Sequence, residues 1–537
     1  MTRELRPRVE LPLLLALVAL AAVGQMVLIR SRELWLDETH TALLSSMPLT
    51  SLLEFVRGDV HPPLYFLVMA GWRRLFGDSE LGLRSLSMVS GALIVIVGFY
   101  TAASLWPRRY AWLAAVLLLL SPLLFYYAGE ARGYSLGTLW MTSALACVVA
   151  SERTPRYRTH ALIGAAVFGA AAYYTHYVAV FGIAALFVCW ALHTLRQRAS
   201  LPGVVTACVL AGALAMPWAP VMLQQRSVRT AQDTDQQRAR QDSTSLTFGT
   251  KALNDMSAPQ RARFIGEDVA GVAGAYAGLL RDHPNPPKRT IIVALLAMPL
   301  LVAIVLGVAA GTRGNWVAGA CAAVVVANVA GIAALGLEGR RYLLFCVPFL
   351  ILLMVFGVVE LERSRMGWRA AGLLAGALVL LNLAGTVRVL RNSASQPLNG
   401  LTSVVSEGAA PRDVVVFSNA YAQIPFDYYA HRRGLKAQEE GFPVTIRAWW
   451  GDQPFKGWGG PVATHEQVRE FAAGARQRAG GAALWLVLFE NEIFDPKNAL
   501  RSALLEGARS VTDVGNCGRA PAAVCGLSEW HVYRIVY

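Results

Sequence analysis

Charge is scarce in this chain: Asp, Glu, Lys and Arg together make up 16% of its 537 residues, where a soluble globular domain carries about 25%. With 55% hydrophobic residues, that scarcity argues against a soluble fold and for a polytopic membrane protein. The formal charge is +14, yet no basic block interleaved with aromatics is present, so nucleic acid is not an expected partner. There is no Walker-type phosphate loop, no convincing G-x-S-x-G elbow and no H-E-x-x-H pair, which leaves nucleotide-driven transport, an α/β-hydrolase reaction and a zincin reaction without support. Cysteine is sparse as well. Of seven, Cys147, Cys189, Cys208, Cys321 and Cys346 lie in apolar runs, where a thiol behaves as a small hydrophobe, and no C-x-x-C or Cys/His metal spacing occurs.

What the chain does have is a series of apolar segments near the ~20 residues needed to cross a bilayer. They fall at about 11–29, 79–104, 110–128, 134–150, 159–174, 177–195, 202–222, 289–311, 315–336, 342–360 and 368–390. The first follows Arg3, Arg6 and Arg8, and its length and lack of a small-residue cleavage site predict an uncleaved span. A shorter run from Pro62 to Phe76 opens on two prolines and carries Arg73 and Arg74. If it lies in the interface instead of crossing, the short loops with Arg108 and Arg109, with Arg153, Arg156 and Arg158, with Arg196 and Arg198, with Arg313, and with Arg363, Arg365 and Arg369 all fall on one side. The positive-inside rule makes that side cytoplasmic, so 62–76 is expected to be a juxtamembrane helix.

The same choice gathers the chemically capable residues on the other side. Asp37 and Glu38 follow the first span, with Asp59-Val60-His61-Pro62-Pro63 about twenty residues later. Glu130-Ala131-Arg132-Gly133-Tyr134, Thr175-His176-Tyr177 and Glu338-Gly339-Arg340-Arg341-Tyr342 join them. A carboxylate there suits general-base activation of a hydroxyl or amine, or metal binding, and burial near lipid would raise its pKa. The alternative for Asp37 is an N-cap for a helix over Thr39 to Phe55. His61 is pinned by the prolines after it and could face Asp37. Glu130 can pair with Arg132 or another basic residue; alternatively Arg132, like Arg340 and Arg341 beside Tyr342, presents a planar fork to a phosphate. His176 sits among Tyr173, Tyr174 and Tyr177, as either an aromatic-belt feature or a substrate contact.

Two further regions lie on the same side. The long loop 223–288 starts polar, then carries Ile265, Val269, Val272, Tyr276 and Leu279 at helical spacing, a candidate surface helix. After Leu390 the β-like runs Val414–Phe417, Leu484–Phe489 and Trp530–Tyr537, with a helix-like stretch near Glu466 to Gln477, predict a small α/β domain. In that compartment Cys517 and Cys525 are candidates for a disulfide.

This order of features resembles the GT-C integral-membrane glycosyltransferases: a first span, a loop with Asp37-Glu38, His61 before Pro62-Pro63, juxtamembrane helices, multiple spans and a C-terminal domain. Within them it is most similar to the dolichyl-phosphate-mannose-protein mannosyltransferase-like family 39, which includes the aminoarabinose transferases of lipid A. The resemblance covers about residues 1–390 and is firmest over 30–135. It implies a sugar donor on a polyprenyl phosphate and a lipid, glycan or protein acceptor arriving from the periplasm. It further implies inverting transfer, with Asp37 taking the acceptor's proton and Glu38 as its neighbour. His61 occupies a position that is His in the protein mannosyltransferases and Lys in the aminoarabinose group. Arg340, Arg341 and Tyr342 resemble the family's Arg-Tyr entrance to a late span, which neutralises the departing phosphate. The departures are the missing Lys and, after Glu130, Arg132-Gly133-Tyr134-Ser135 without the further Asp of the aminoarabinose enzymes, so a lipid A acceptor does not carry over.

The expectation is therefore an all-α polytopic membrane protein of GT-C type, with about eleven transmembrane helices plus juxtamembrane helices and a small C-terminal α/β periplasmic domain. Its divisions are a catalytic membrane domain, 1–390, with external loops 30–78 and 223–288, and a periplasmic domain, 391–537. The expected place is a bacterial inner membrane, N-terminus cytoplasmic, with membrane lipids as partners. The candidate site is Asp37 and Glu38 as catalytic pair, with His61, Glu130, Arg132, Tyr134, His176, Arg340, Arg341 and Tyr342 binding donor phosphate or substrate. Asp37 and Glu38 are the candidate ligands should a divalent cation be used. The competing readings are a lipid or polysaccharide transporter and a non-catalytic envelope scaffold.

Overall fold

The computed structural model describes residues 7–30, 32–197, 201–227, 245–246, 286–335, 337, 340–392, 398–418, 422–442, 463–489, 498–516 and 530–537. Among them eight helices are long and apolar enough to cross a membrane: Glu10–Arg30, Glu80–Leu105, Tyr134–Arg153, Ala179–Arg196, Pro202–Ser227, Trp316–Ala334, Arg341–Arg363 and Gly367–Arg391. The other three expected spans are also helical, and two of them differ from the expectation. One is split into Arg108–Leu119 and Pro122–Tyr127: Pro122 lacks the amide needed to continue the first piece, and Ser121 caps the second. Arg158–Thr175 opens on Arg158 and His160, which lower its apolarity. Pro286–Thr312 is a helix of 27 residues that covers the expected 289–311 in full.

Three short helices lie between the first span and Glu80: Leu36–Leu44, Leu49–Gly58 and Leu64–Phe76. The single helix expected from Thr39 to Phe55 is thus two. The break comes at Pro48, whose ring disfavours a helical Met47 and which serves as N-cap of the second helix. Leu64–Phe76 has 13 residues, a length of about 20 Å at the usual helical rise. That falls short of the ~30 Å hydrocarbon core, as a juxtamembrane helix should.

The most enclosed spans are Tyr134–Arg153 and Arg341–Arg363, the two whose ends carry candidate site residues. Close backbone approach locks the second in place. A Cβ at Gly357 would meet the Ala303 carbonyl oxygen at 2.1 Å, and one at Gly307 would meet that of Leu353 at the same distance. Only hydrogen fits at either crossing. At the far end of the bundle Arg108 pairs with Glu10, Arg109 with Glu362, and Arg313 and Arg363 with Glu360, so the basic loops gather away from Asp37.

The C-terminal residues build one five-stranded sheet. Its strands are β1 (Val414–Phe417), β2 (Gln438–Gly441), β3 (Leu484–Phe489), β4 (Ser510–Asn516) and β5 (Trp530–Val536), in the order β2-β1-β3-β5-β4. β2, β1 and β3 are parallel, while β5 and β4 are antiparallel. Every residue of β1 and β3 is buried, because hydrophobic layers cover both faces of these central strands. The helix Gln423–Arg433 packs one side on this sheet and sends Ile424 into the core shared by the membrane helices. The helical spacing at 265–279 and the pair Cys517 and Cys525 lie outside the described residues.

Candidate active site

The two adjacent acids do different things. The N-cap of the Leu36–Leu44 helix is Trp35, so Asp37 lies within the first turn and is not the cap expected of it. The cap falls two residues before Asp37, where Glu38 Oε2 accepts the Trp35 N–H at 3.3 Å, the returning half of a capping box. Successive helical residues do not face each other, and here they part company completely. Glu38 turns inward, where Oε1 accepts from Arg84 Nε at 2.7 Å and from the Ala131 N–H at 2.8 Å, and Oε2 accepts from Arg84 Nη2 at 2.6 Å. Both side chains of that pair are 0% exposed. The rest of the Arg84 guanidinium donates to the carbonyls of Ile29 (3.2 Å), Arg32 (2.7 Å) and Glu33 (2.8 Å), which ties down the stretch leading to Asp37.

Asp37 keeps 14% of its side chain exposed and faces cations. Its Oδ2 accepts from Arg341 Nη1 at 3.3 Å, and Arg132 Nη2 stands 3.8 Å away. Arg132 also donates from Nη1 to the Asp37 carbonyl at 3.3 Å and from Nη2 to His61 Nε2 at 3.1 Å. Since Nε2 accepts, His61 carries its proton on Nδ1, which donates to Asp59 Oδ2 at 3.2 Å. Asp59 in turn accepts the Val60 N–H at 2.7 Å. A line Asp59–His61–Arg132–Asp37–Arg341 results, and His61 reaches Asp37 only through Arg132.

Electrostatics reverse one expectation. Burial alone would push the Asp37 carboxyl up, but the guanidiniums of Arg132 and Arg341 outweigh it and hold the group below its ordinary value of 3.8. Asp59 is likewise held low, burial being outweighed by His61. His176, enclosed and near His61 and Arg132, is driven well below the usual histidine value and is neutral. Burial pushes His40 down to about 4.

Aromatic rings wall the site. The His176 ring centroid is 5.1 Å from Phe345, 5.5 Å from Tyr342, 5.7 Å from Tyr134 and 6.2 Å from His61. Arg341 lies over Trp35 and Tyr342 at 5.8 and 5.3 Å. A cavity of about 10 Å³ touches His61, Tyr65, Arg132, Tyr134, Thr175 and His176, room for about one water. Glu130 stands apart, paired with Arg32 at 3.1 Å, and Arg32 also donates to Tyr126 Oη at 2.8 Å. Burial raises the Glu130 carboxyl despite that partner. Arg340 begins the 3₁₀ turn Arg340–Cys346 that presents Arg341 and Tyr342. Among the described residues no group of three or more His, Cys, Asp or Glu is gathered as a cation site, and both oxygens of Glu38 are engaged by the protein.

ArnT from Cupriavidus metallidurans, in its structure bound to undecaprenyl phosphate, matches this architecture with a TM-score of 0.57 at 15% identity, over 96% of this chain and 97% of that one. The chain has the GT-C membrane fold. Residues 60–220 also match the family model described as dolichyl-phosphate-mannose-protein mannosyltransferase. A second GT-C structure, the Archaeoglobus fulgidus oligosaccharyltransferase in complex with zinc and sulfate, matches with a TM-score of 0.50 at 10% identity, over 88% of this chain and 68% of that one. No curated protein matches the sequence.

Within this GT-C frame, sequence reasoning missed Arg84 and Arg32 as parts of the site's framework and gave Asp59, named beside His61, no role of its own. Asp59 had a signal, since it stands two residues before His61. Arg84 had one too, as a lone arginine inside an otherwise apolar segment, where a charge needs a partner.

Proposed function

We propose that the protein is a glycosyltransferase that moves a sugar from a polyprenyl-phosphate donor to an acceptor hydroxyl or amine at the periplasmic face of a bacterial inner membrane. The observation that carries this reading is the partly exposed Asp37 carboxylate between two arginines, at the end of the bundle away from the basic loops. A lipid phosphate presented from the bilayer would meet Arg341, Arg132 and His61. The acceptor would then attack the anomeric carbon from the side opposite the phosphate. One bond forms from acceptor oxygen or nitrogen to carbon; the bond from carbon to phosphate oxygen breaks, and its electron pair stays on the phosphate. Asp37 takes the acceptor's proton, and the configuration at carbon inverts.

The arrangement explains how a carboxylate held so acidic can act as a base. In the free site the guanidiniums stabilise its ionised form. When a phosphate binds, the same guanidiniums divide their interaction between two anions, and the phosphate adds negative charge nearby, so Asp37 becomes more basic when its proton acceptance is needed. The arginines then stabilise the charge that develops on the leaving phosphate.

Asp37→Asn in the full-length protein, reconstituted with labelled polyprenyl-phosphate sugars and a membrane-fraction acceptor, tests the assignment. Loss of transfer by roughly 100-fold or more is expected for a general base. Transfer at the wild-type rate would remove Asp37 from that role, and absence of any transfer by the wild type with every donor offered would count against the function itself.

A further inference from the structure

We propose that the C-terminal sheet domain braces the active-site helix, and that Tyr429 is the positioning residue through which it does so. This rests on Asp37 being the base. Tyr429 lies on Gln423–Arg433, the helix of the C-terminal unit that packs on Leu36–Leu44. Its hydroxyl accepts the Leu34 N–H at 2.8 Å and donates to Glu80 Oε1 at 2.7 Å. Leu34 is fully buried, one residue before the N-cap Trp35 and three before Asp37.

The extended stretch between the first span and Asp37 is therefore held from two sides. From the membrane helices Arg84 takes the carbonyls of Ile29, Arg32 and Glu33. From the C-terminal unit Tyr429 takes the Leu34 amide, and the Asn399 N–H donates to Glu33 Oε2 at 2.6 Å. Other residues of the same helix face secure it: Ile424 is buried in the membrane-domain core, Tyr428 Oη donates to the Asp78 carbonyl at 2.8 Å, and Arg432 Nη2 donates to that carbonyl at 2.8 Å. Positions 424, 428, 429 and 432 make one stripe of the helix.

A domain that needed only a tether would not place a tyrosine hydroxyl at a buried backbone amide. Without the hydroxyl, the Leu34 N–H has to find water or another acceptor, and either outcome moves the chain three residues from Asp37. Displacements on the order of 1 Å away from the chemistry can cost about 100-fold in rate.

Tyr429→Phe keeps the ring and removes only the hydroxyl. In the full-length protein in nanodiscs, hydrogen exchange of peptides over 33–44 is compared with exchange over Tyr134–Arg153, and kcat is separated from the donor KM. Exchange at 33–44 is expected to accelerate about tenfold or more, a local opening, with the 134–153 span unchanged. kcat should fall roughly 10- to 100-fold, with KM for the donor within about twofold because Arg132 and Arg341 remain in place. Glu80→Gln, whose amide oxygen still accepts from Tyr429, should stay near wild type, while Glu80→Ala should reproduce part of the Tyr429→Phe effect. Unchanged exchange at 33–44, or acceleration spread equally over the spans, overturns the brace. Because exchange needs no turnover, it decides the brace even if Asp37→Asn retains activity and the base assignment falls.

Discussion

Arg341 Nη1 lies 3.3 Å from Asp37 Oδ2, although the two residues are 304 positions apart in sequence. The contact joins the first turn of the Leu36–Leu44 helix to the turn that opens a late span. It also means that the free site already contains an anion where a donor phosphate would compete. Asp37 serves both as the proposed base and as the counter-ion that keeps the guanidiniums gathered while the site is empty of donor.

Replacing Arg341 by Lys should separate charge from geometry. Lysine keeps the positive charge but presents a point, not the planar fork that grips two oxygens. Donor affinity is expected to weaken about tenfold and kcat to fall by more, because the departing phosphate gains charge only in the transition state. Polyprenyl-phosphate binding and single-turnover transfer measure the two effects. Equal binding and equal turnover in Arg341→Lys would mean that Arg341 serves Asp37 alone.

The line from Asp59 to Arg132 predicts a tautomer effect. An asparagine at 59 can turn its N–H₂ toward His61 and force the ring proton to Nε2, where it would point at the donating Arg132 Nη2. Asp59→Asn should therefore lower turnover roughly tenfold or more with little loss of fold, by the same logic as the carboxylate behind a catalytic histidine. Asp59→Glu, which keeps the acceptor, should lose less. A pair of nitrogen-15 spectra of the His61 ring, wild type against Asp59→Asn, reads the proton position directly.

Glu38 and Arg84 are expected to matter for stability more than for chemistry. Breaking a fully buried pair from one side leaves the other charge stranded, a cost of about 3–5 kcal/mol. Arg84→Met should thus lower the melting temperature in detergent sharply, and Glu38→Gln should do so less, since its amide can still accept one bond from Arg84. The double variant Glu38→Leu with Arg84→Met should be more stable than Arg84→Met alone. If instead Arg84→Met melts like the wild type, the pair is not what anchors the stretch to Asp37.

These residues also mark where the sequence could be read and where it could not. Asp37, His61, Arg132 and Arg341 stand out because charge is rare in this chain and the positive-inside bias sorts them to one end, so topology alone brings them together. Glu38 could not be told from Asp37 in that way: which of two adjacent acids turns inward depends on where the helix starts, and Trp35 is not a residue that signals a cap. The role of Arg84 needed the chain path at 29–33, whose carbonyls it binds. Tyr429 was out of reach, since its partner Leu34 is 395 residues distant and a tyrosine in a polar tail has many ordinary uses. The Pro48 break was legible and was missed, because the apolar pattern on both sides ran on as one helix.

The pH dependence follows from the direction in which Asp37 is shifted. Its folded value lies below 3.8 because Arg132 and Arg341 outweigh the effect of burial. A carboxyl shifted down stabilises the fold in full above its unfolded value of about 4, and that contribution is lost as pH falls through the lower folded value. For activity, the acid limb of kcat/KM reports the free protein, so the limb due to Asp37 should lie below about pH 4. The acid limb of kcat reports the donor-bound site. There the phosphate shares the guanidiniums and adds its own negative charge, so the kcat limb should sit at higher pH than the kcat/KM limb. Arg341→Ala should move the kcat/KM limb upward, because the free carboxylate loses a stabilising cation, and should narrow the gap between the two limbs. Coincident limbs in the wild type would show that donor binding does not change the basicity of Asp37, and that the arginines stay with the carboxylate throughout the reaction.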